Sequence, residues 1–322
     1  MRKLITWVAS ATHNPNIRMR CAAGLLALCA LAGCGPASGP ETGETPETLL
    51  VYASFYPMYD FAAKVGGDRV RVVNMVPAGT EPHDWEPAAA DVAGLEAADV
   101  FVYNGAGFEH WVDDVLGSLE NQALVTVEAS RGVAPPGEET PARPGEAEAR
   151  DPHVWLSPLG AKAEMENIRD ALARADPEGS AVYETNCARW AAALDALDAA
   201  FREALDPLPH RDVVVSHRAF GYLCAAYGLN QVAVEGLSPD AEPDPARLAE
   251  VIELAGARDV RVIFFEETVS PKVAEVIAKA VGAETGVLSP LESLSDERLA
   301  AGADYISVMR DNLETLRTAL DR

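Results

Sequence analysis

The chain has 322 residues, 48% of them hydrophobic, and carries 50 acidic against 26 basic side chains for a formal net charge of −24. That length accommodates about two domains with cores that need no covalent staples, and a mean hydropathy of −0.01 excludes a disordered tail. A pI near 4.5 lacks the electrostatic footprint of a nucleic-acid binder; it bears on solubility or on a cationic ligand rather than on fold.

In chain order, Arg2, Lys3, Arg18 and Arg20 precede the apolar run CAAGLLALCALAGC, and no acidic residue occurs before Glu41. A basic segment followed by an apolar run too short to span a bilayer reads as a signal peptide over residues 1–33, with Met19 as an alternative start. The run ends in LAGC, which resembles the lipobox of bacterial lipoproteins and on that resemblance makes Cys34 the lipidated N-terminus. Residues 34–48, GPASGPETGETPET after the cysteine, hold no large apolar group and read as a flexible tether.

From Leu49 the pattern becomes strand, helix, strand. LLVYASF reads as a buried strand, YPMYDFAAKVGG as a helix stopped by glycines and VRVVNMVP as the next strand. PAAADVAGLEAA is helical, DVFVYNG a strand, FEHWVDDVLGSL a helix and ALVTVEA a strand. This alternation predicts a parallel sheet covered by helices, an N-terminal lobe over residues 49–177. Residues 131–152, rich in Pro, Gly, Glu and Arg, interrupt it as a long acidic surface loop that includes Glu138, Glu139, Glu146 and Glu148. Two helices follow, and the second is a connecting helix over residues 178–206 that Pro207 and Pro209 end.

Beyond it DVVVSH, NQVAVEGL, VRVIFFEE and ETGVLSPLESL read as strands alternating with helices, which gives a C-terminal lobe over residues 207–322. The expected fold is α/β: two parallel-sheet lobes joined by one long rigid helix, with the ligand in the cleft between them, beyond the carboxyl ends of the strands. Of five cysteines only Cys187 and Cys224 lie past Cys34; whether they form a disulfide is left open.

The histidines fall at telling places. His83 lies in the loop after VRVVNMVP, His153 after the acidic loop, and His217 ends DVVVSH, while Glu292 lies beyond the last strand. Taken singly, each histidine reads as an ordinary packed or surface residue. Together, three strand-end imidazoles and one carboxylate match four-coordinate zinc, although separations of 64 to 75 residues form no short motif. His110 is read as structural, inside a helix, and His210 as exposed. Glu266 and Glu267, at the end of VRVIFFEE, are read as orienting a ligand histidine through a hydrogen bond; Trp85 and Asn104 are read as packing or bracing the ligand loops.

The segments VPAGTEPHDWEPAAAD, DPHVWLSP, VVSHRAFGYLCAAYGL, VIFFEETVSPKVAEVIA and GVLSPLESLS together resemble the zinc and manganese substrate-binding lipoproteins of ABC importers, the metal-binding cluster A-I family, from about Leu49 to the C-terminus. The resemblance implies metal ligands at His83, His153, His217 and Glu292, of the zinc type, since manganese-type relatives carry Glu at the third position and Asp at the fourth. It implies a binding protein, not an enzyme, that carries Zn(II), with Mn(II) as the alternative cargo, to a permease and its ATPase. It further implies a monomer held at the bacterial membrane by the lipid on Cys34, in the periplasm or on the cell surface. Zinc-type relatives often carry a His-rich stretch before the second ligand; residues 131–152 contain no histidine. Two other classes stay open on the residues alone: a zinc hydrolase, if Glu292 leaves a position free for water, and an adhesin, since some members of the family are described as adhesins.

Overall fold

A computed structural model describes residues 48–134, 150–239 and 244–321. The signal segment, Cys34 and the tether as far as Glu47, and the four loop glutamates Glu138, Glu139, Glu146 and Glu148 lie outside the described residues.

Two four-stranded parallel sheets account for the strands. The first comprises β1 (Leu49–Ala53), β2 (Val70–Asn74), β3 (Val100–Tyr103) and β4 (Val125–Glu128) in the order β2-β1-β3-β4. The second comprises β5 (Asp212–Val215), β6 (Asn230–Ala233), β7 (Val262–Phe265) and β8 (Glu284–Val287) in the corresponding order β6-β5-β7-β8. The central strands β3, β5 and β7 are buried on both faces, which is why they read as nearly continuous apolar runs, whereas the edge strand β8 is largely exposed. Val100 and Val102 point into the main core while Phe101 between them joins a separate cluster with Met75, Leu95 and Trp111. Val213 and Val215 likewise face the main core, whereas Val214 packs with Val251, Ile263 and Ile277. The alternation follows from the period of two in strand side chains.

The helices are α1 (Tyr56–Gly66), α2 (Ala89–Glu96), α3 (Val112–Ser118), α4 (Pro158–Ala175), α5 (Ser180–Leu205), α6 (Gly221–Ala226), α7 (Pro245–Ala257), α8 (Lys272–Val281), α9 (Asp296–Ala300) and α10 (Tyr305–Leu320). The short α9, capped by Ser295, has too few residues for a periodic signal and was not expected from the sequence. Helix α5, 26 residues long, is the link between the sheets. Near its start Asn186 Nδ2 and Trp190 Nε1 donate to the carbonyls of Val65 and Lys64 in α1; near its end Phe201 stacks on Tyr227, centroids 4.9 Å apart. Lys64 pairs with Asp60 and with Asp304 at the head of α10, so the C-terminal helix returns to the first lobe. One apolar cluster therefore runs from β1 and β3 through α4 and α5 to α10 and β5. Cys187 on α5 and Cys224 on α6 are buried free thiols.

Several strands are shorter than their apolar runs, and this matters for the site. His217 lies two residues past β5, Glu266 one residue past β7, and His110 sits in the turn before α3 rather than inside a helix. No helix among the described residues is long and apolar enough to cross a membrane.

Candidate metal centre

Every residue of the cluster follows the carboxyl end of a strand, where parallel α/β sheets gather ligands. His83 belongs to the loop between β2 and α2, which is folded by its own turns: Thr80 N donates to Pro77 O at 3.1 Å and Trp85 N to Pro82 O at 3.2 Å. His153 precedes a short 3-10 turn, Val154–Leu156, leading into α4, whose first turn is capped by Ser157. His217 and Glu292 come from the second sheet, after β5 and β8.

The fold brings these four residues, dispersed in sequence, to one point. One potential ligand atom from each lies within 4.8 Å of all the others. Glu292 Oε1 is 3.4 Å from His83 Nε2, 3.2 Å from His153 Nε2 and 3.4 Å from His217 Nε2. A tetrahedral ion with bonds of about 2.0 Å separates its ligand atoms by about 3.3 Å, so these three distances match the edges that meet at one corner of a zinc-sized tetrahedron. The Nε2 atoms of His153 and His217 and Oε2 of Glu292 are buried without a hydrogen-bond partner among the described residues. Buried polar atoms are rarely left so, and these belong to groups converging on a shared centre, as the donors of a cation do.

Carboxylates behind the imidazoles set their direction. Asp151 Oδ1 lies 2.8 Å from His153 Nδ1 and also accepts from the His153 backbone N–H at 2.9 Å. Glu266 Oε1 lies 2.6 Å from His217 Nδ1 and is itself almost wholly buried. With Nδ1 engaged, Nε2 is turned to the centre, the arrangement that fixes tautomer and raises ligand basicity in metal sites. Asn104, fully buried, donates from Nδ2 to Pro152 O at 3.0 Å and so braces the segment carrying His153. Its backbone N–H and that of Gly105 are gripped by Glu109, which also accepts from Ser54 Oγ at 2.6 Å. Trp85 packs edge-on against Trp111, centroids 5.5 Å apart.

The sequence reading paired Glu267 with Glu266 as a support for a histidine; the structure corrects this. Successive residues diverge where a strand ends, and Glu267 is turned away to ion-pair with Arg298. Asp151 and Glu109 were not singled out from sequence. Asp151, two residues before His153 in DPHVW, carries a usable local signal, whereas Glu109 is recognisable only from its burial and its three donors.

Charge and burial compete at the centre. Burial works against the Glu292 carboxylate, yet the surrounding imidazoles of His83, His217 and His153 hold it well below the usual carboxylate range. Burial likewise opposes charge on His217, but Glu266 and Glu292 outweigh it and push that imidazole well above its ordinary value. His153 moves the same way through Asp151 and Glu292 against its burial. Glu81, whose Oε1 accepts from the His83 backbone at 3.2 Å, is pushed up to about 8 by burial and by the nearby Glu292. The centre without metal is therefore a proton-holding cluster, and a metal competes with those protons.

Access is from one side. The side chains of His153 and His217 are 0% exposed and that of Glu292 3%, whereas His83 retains 9%. His83 lines a cavity of about 510 Å³ together with Phe108, His110, Arg150 and Pro152. His110 stays on the rim, half exposed, with Nε2 3.5 Å from Glu86 Oε1, and takes no part in the four-residue cluster.

Comparison with known proteins gives a consistent result. The family described as zinc-uptake complex component A, periplasmic, matches residues 51–319. The zinc-binding lipoprotein AdcA of Streptococcus pneumoniae is 42% identical over 281 residues, 85% of this chain; the chain spans only 56% of that relative's length. The high-affinity zinc uptake system protein ZnuA of Bacillus subtilis is 39% identical over 306 residues, covering 92% of this chain and 96% of the relative. Among solved structures, the Zn(II)-bound ZnuA-like domain of Streptococcus pneumoniae AdcA superimposes with a TM-score of 0.73 at 41% identity, over 85% of this chain and all of that domain.

Proposed function

The chain belongs to the zinc-uptake complex component A family, and from that premise we propose that it captures Zn(II) outside the cytoplasmic membrane and hands it to an ABC permease driven by its ATPase. The observation that carries the reading is the single carboxylate oxygen of Glu292 placed 3.2 to 3.4 Å from three imidazole nitrogens. Three neutral nitrogens and one oxygen at tetrahedral spacing suit borderline-soft zinc, whereas manganese prefers harder oxygen-rich sets. In this reading His83, His153, His217 and Glu292 each supply one ligand atom. Four protein ligands complete a tetrahedral shell and leave no position for a reacting water, which speaks for a carrier rather than a hydrolase.

The path of the ion follows from exposure. Zinc enters past His83, the ligand bordering the cavity, and closes its shell on the buried His153, His217 and Glu292. Asp151 and Glu266 keep both buried rings aimed inward and favour their basic form as the protons leave. The division into a lobe over 49–177, a connecting helix over 178–206 and a lobe over 207–322 remains our proposal for the working parts. Helix α5, pinned near both ends, restricts them to small tilts rather than a wide hinge. The LAGC resemblance supports lipid attachment at Cys34 and a chain tethered at the membrane surface.

The test is metal content by mass spectrometry on the chain starting after Cys34, purified without added metal, beside Glu292→Ala. About one zinc per chain, weakened in the variant, is the expected result for a four-ligand site. Zinc retained at full strength without Glu292 would return the open, hydrolase-type site to contention.

A further inference from the structure

Glu292 sits on a loop that its surroundings over-determine. Asn312 on α10 clamps Ser289 from both sides, accepting from its N–H at 2.9 Å and donating to its carbonyl at 2.8 Å. Leu291, fully buried, has φ of 59°, in the left-handed region that a leucine enters only when neighbours impose it. Between them, the carbonyl of Pro290 accepts the indole N–H of Trp155 at 2.7 Å.

Trp155 is two residues past His153 and lies in the same short turn. Its indole is fully buried, edge-on to Phe55 and Phe108 with centroids 4.9 and 5.2 Å away. The Tyr305 hydroxyl donates to the Trp155 carbonyl at 2.5 Å, tying the same residue to α10. One buried hydrogen bond thus joins the backbone carrying His153 to the backbone carrying Glu292, across 135 residues of sequence. The ligand atoms it separates stand 3.2 Å apart, near the edge length that zinc requires.

The geometry points to Trp155 as a positioning residue that fixes the gap between His153 and Glu292 and so selects a zinc-sized ion over a larger ion of the same chemistry. It touches no metal itself; it acts through the two ligand-bearing segments. A larger ion needs a longer ligand-to-ligand edge, and backbone movement that lengthens it stretches the Trp155 to Pro290 bond or relaxes Leu291. Packed interiors resist both displacements. The inference rests on the zinc reading of the four-residue centre.

Zn(II) and Cd(II) are the probes, because both are d¹⁰ dications without geometric preference and Cd(II) is the larger and softer, so the change in the ratio of their affinities between variants that keep the same four donors isolates size. Competition titrations on the full-length chain in detergent compare wild type with Trp155→Phe, which removes the N–H donor, and with Tyr305→Phe, which frees the Trp155 carbonyl but keeps the indole. Losing a partner that orients a metal ligand lowers affinity by about 10- to 100-fold. For Trp155→Phe we expect the zinc affinity to fall within that range and the cadmium affinity to fall less, so that the zinc-to-cadmium ratio drops. Tyr305→Phe should move the ratio in the same direction by a smaller factor, and it decides the matter if Trp155→Phe does not fold. A ratio left at the wild-type value, with both affinities unchanged or lowered together, overturns the proposal, since a merely structural defect weakens both ions alike. Absence of zinc binding in the wild type would instead strike the metal reading itself.

Discussion

Protons and zinc compete for the same imidazole nitrogens, so the affinity of this centre is a function of pH with a slope that the structure sets. His153 and His217 both have raised values in the folded, metal-free protein, through Asp151 with Glu292 and through Glu266 with Glu292. Each is therefore still protonated at pH values where an ordinary histidine, near 6.5, has lost its proton. Binding zinc at Nε2 expels that proton. Below the raised values two protons leave per zinc and the affinity rises with pH by about 10-fold per proton per unit, or about 100-fold per unit for the pair, since one unit is about 1.4 kcal/mol for each. Above them no proton is released from these rings and the curve levels. The decline on acidification thus begins above 6.5, not at it. The assay is a competition titration with a chelator of known proton affinity from pH 8.5 down to 5.5, paired with calorimetry in buffers of different ionisation enthalpy to count protons. Zinc affinity flat between pH 7.5 and 5.5, or calorimetry that finds no proton released at pH 6.5, would refute the reasoning.

Other outcomes follow from single side chains. His217→Ala is expected to weaken zinc binding by orders of magnitude while His110→Ala, on the rim, leaves it nearly unchanged in the same titration; equal effects would overturn the ligand assignment. Glu266→Gln removes the carboxylate from His217 Nδ1, so zinc affinity should drop about 10- to 100-fold and the calorimetric proton count at pH 6.5 should fall; an unchanged count would show that Glu266 does not help keep the proton on His217. Glu164 is buried in α4 with neither carboxylate oxygen hydrogen-bonded, and burial pushes it well above the usual range. Its folded value exceeds its unfolded one, so its contribution is present below about pH 4.3 and is lost as pH rises toward the folded value. Glu164→Gln should accordingly raise Tm over wild type by about 3 °C or more at pH 8 and by less near pH 4.5; a difference independent of pH would contradict this.

The order of strands and helices was legible because it is written in local periodicity: the apolar runs of β1, β3, β5 and β7 and the long Ala-rich pattern of α5 need no distant information. The three converging histidines were legible as candidates, since His is rare in this chain and each lies at or after the end of a predicted strand, which parallel sheets direct to one cleft; Glu292, one of 50 acidic side chains, was singled out by its place beyond the last strand and by the family resemblance. Local pattern ran out at strand ends, where VRVIFFEE continues its apolar and acidic run past β7 and gave no reason to separate Glu266 from Glu267. Only the fold sends the first to His217 and the second to Arg298. His110 is a similar case: FEHWVDDVLGSL has helical character, but the backbone turns before α3 begins.

By itself the sequence offered a candidate set of metal ligands, from residue chemistry and the family resemblance, and determined that two parallel sheets present them, because residue chemistry and hydrophobic period are properties of short segments. The tertiary structure decided how far apart the ligand atoms stand and what holds them there. Glu292 meets three imidazoles, Asn104 braces Pro152 and Trp155 reaches Pro290 through contacts between segments 48 to 209 residues apart. Those contacts are fixed by the packing of α4, α5 and α10 against both sheets, and no spacing along the chain encodes them.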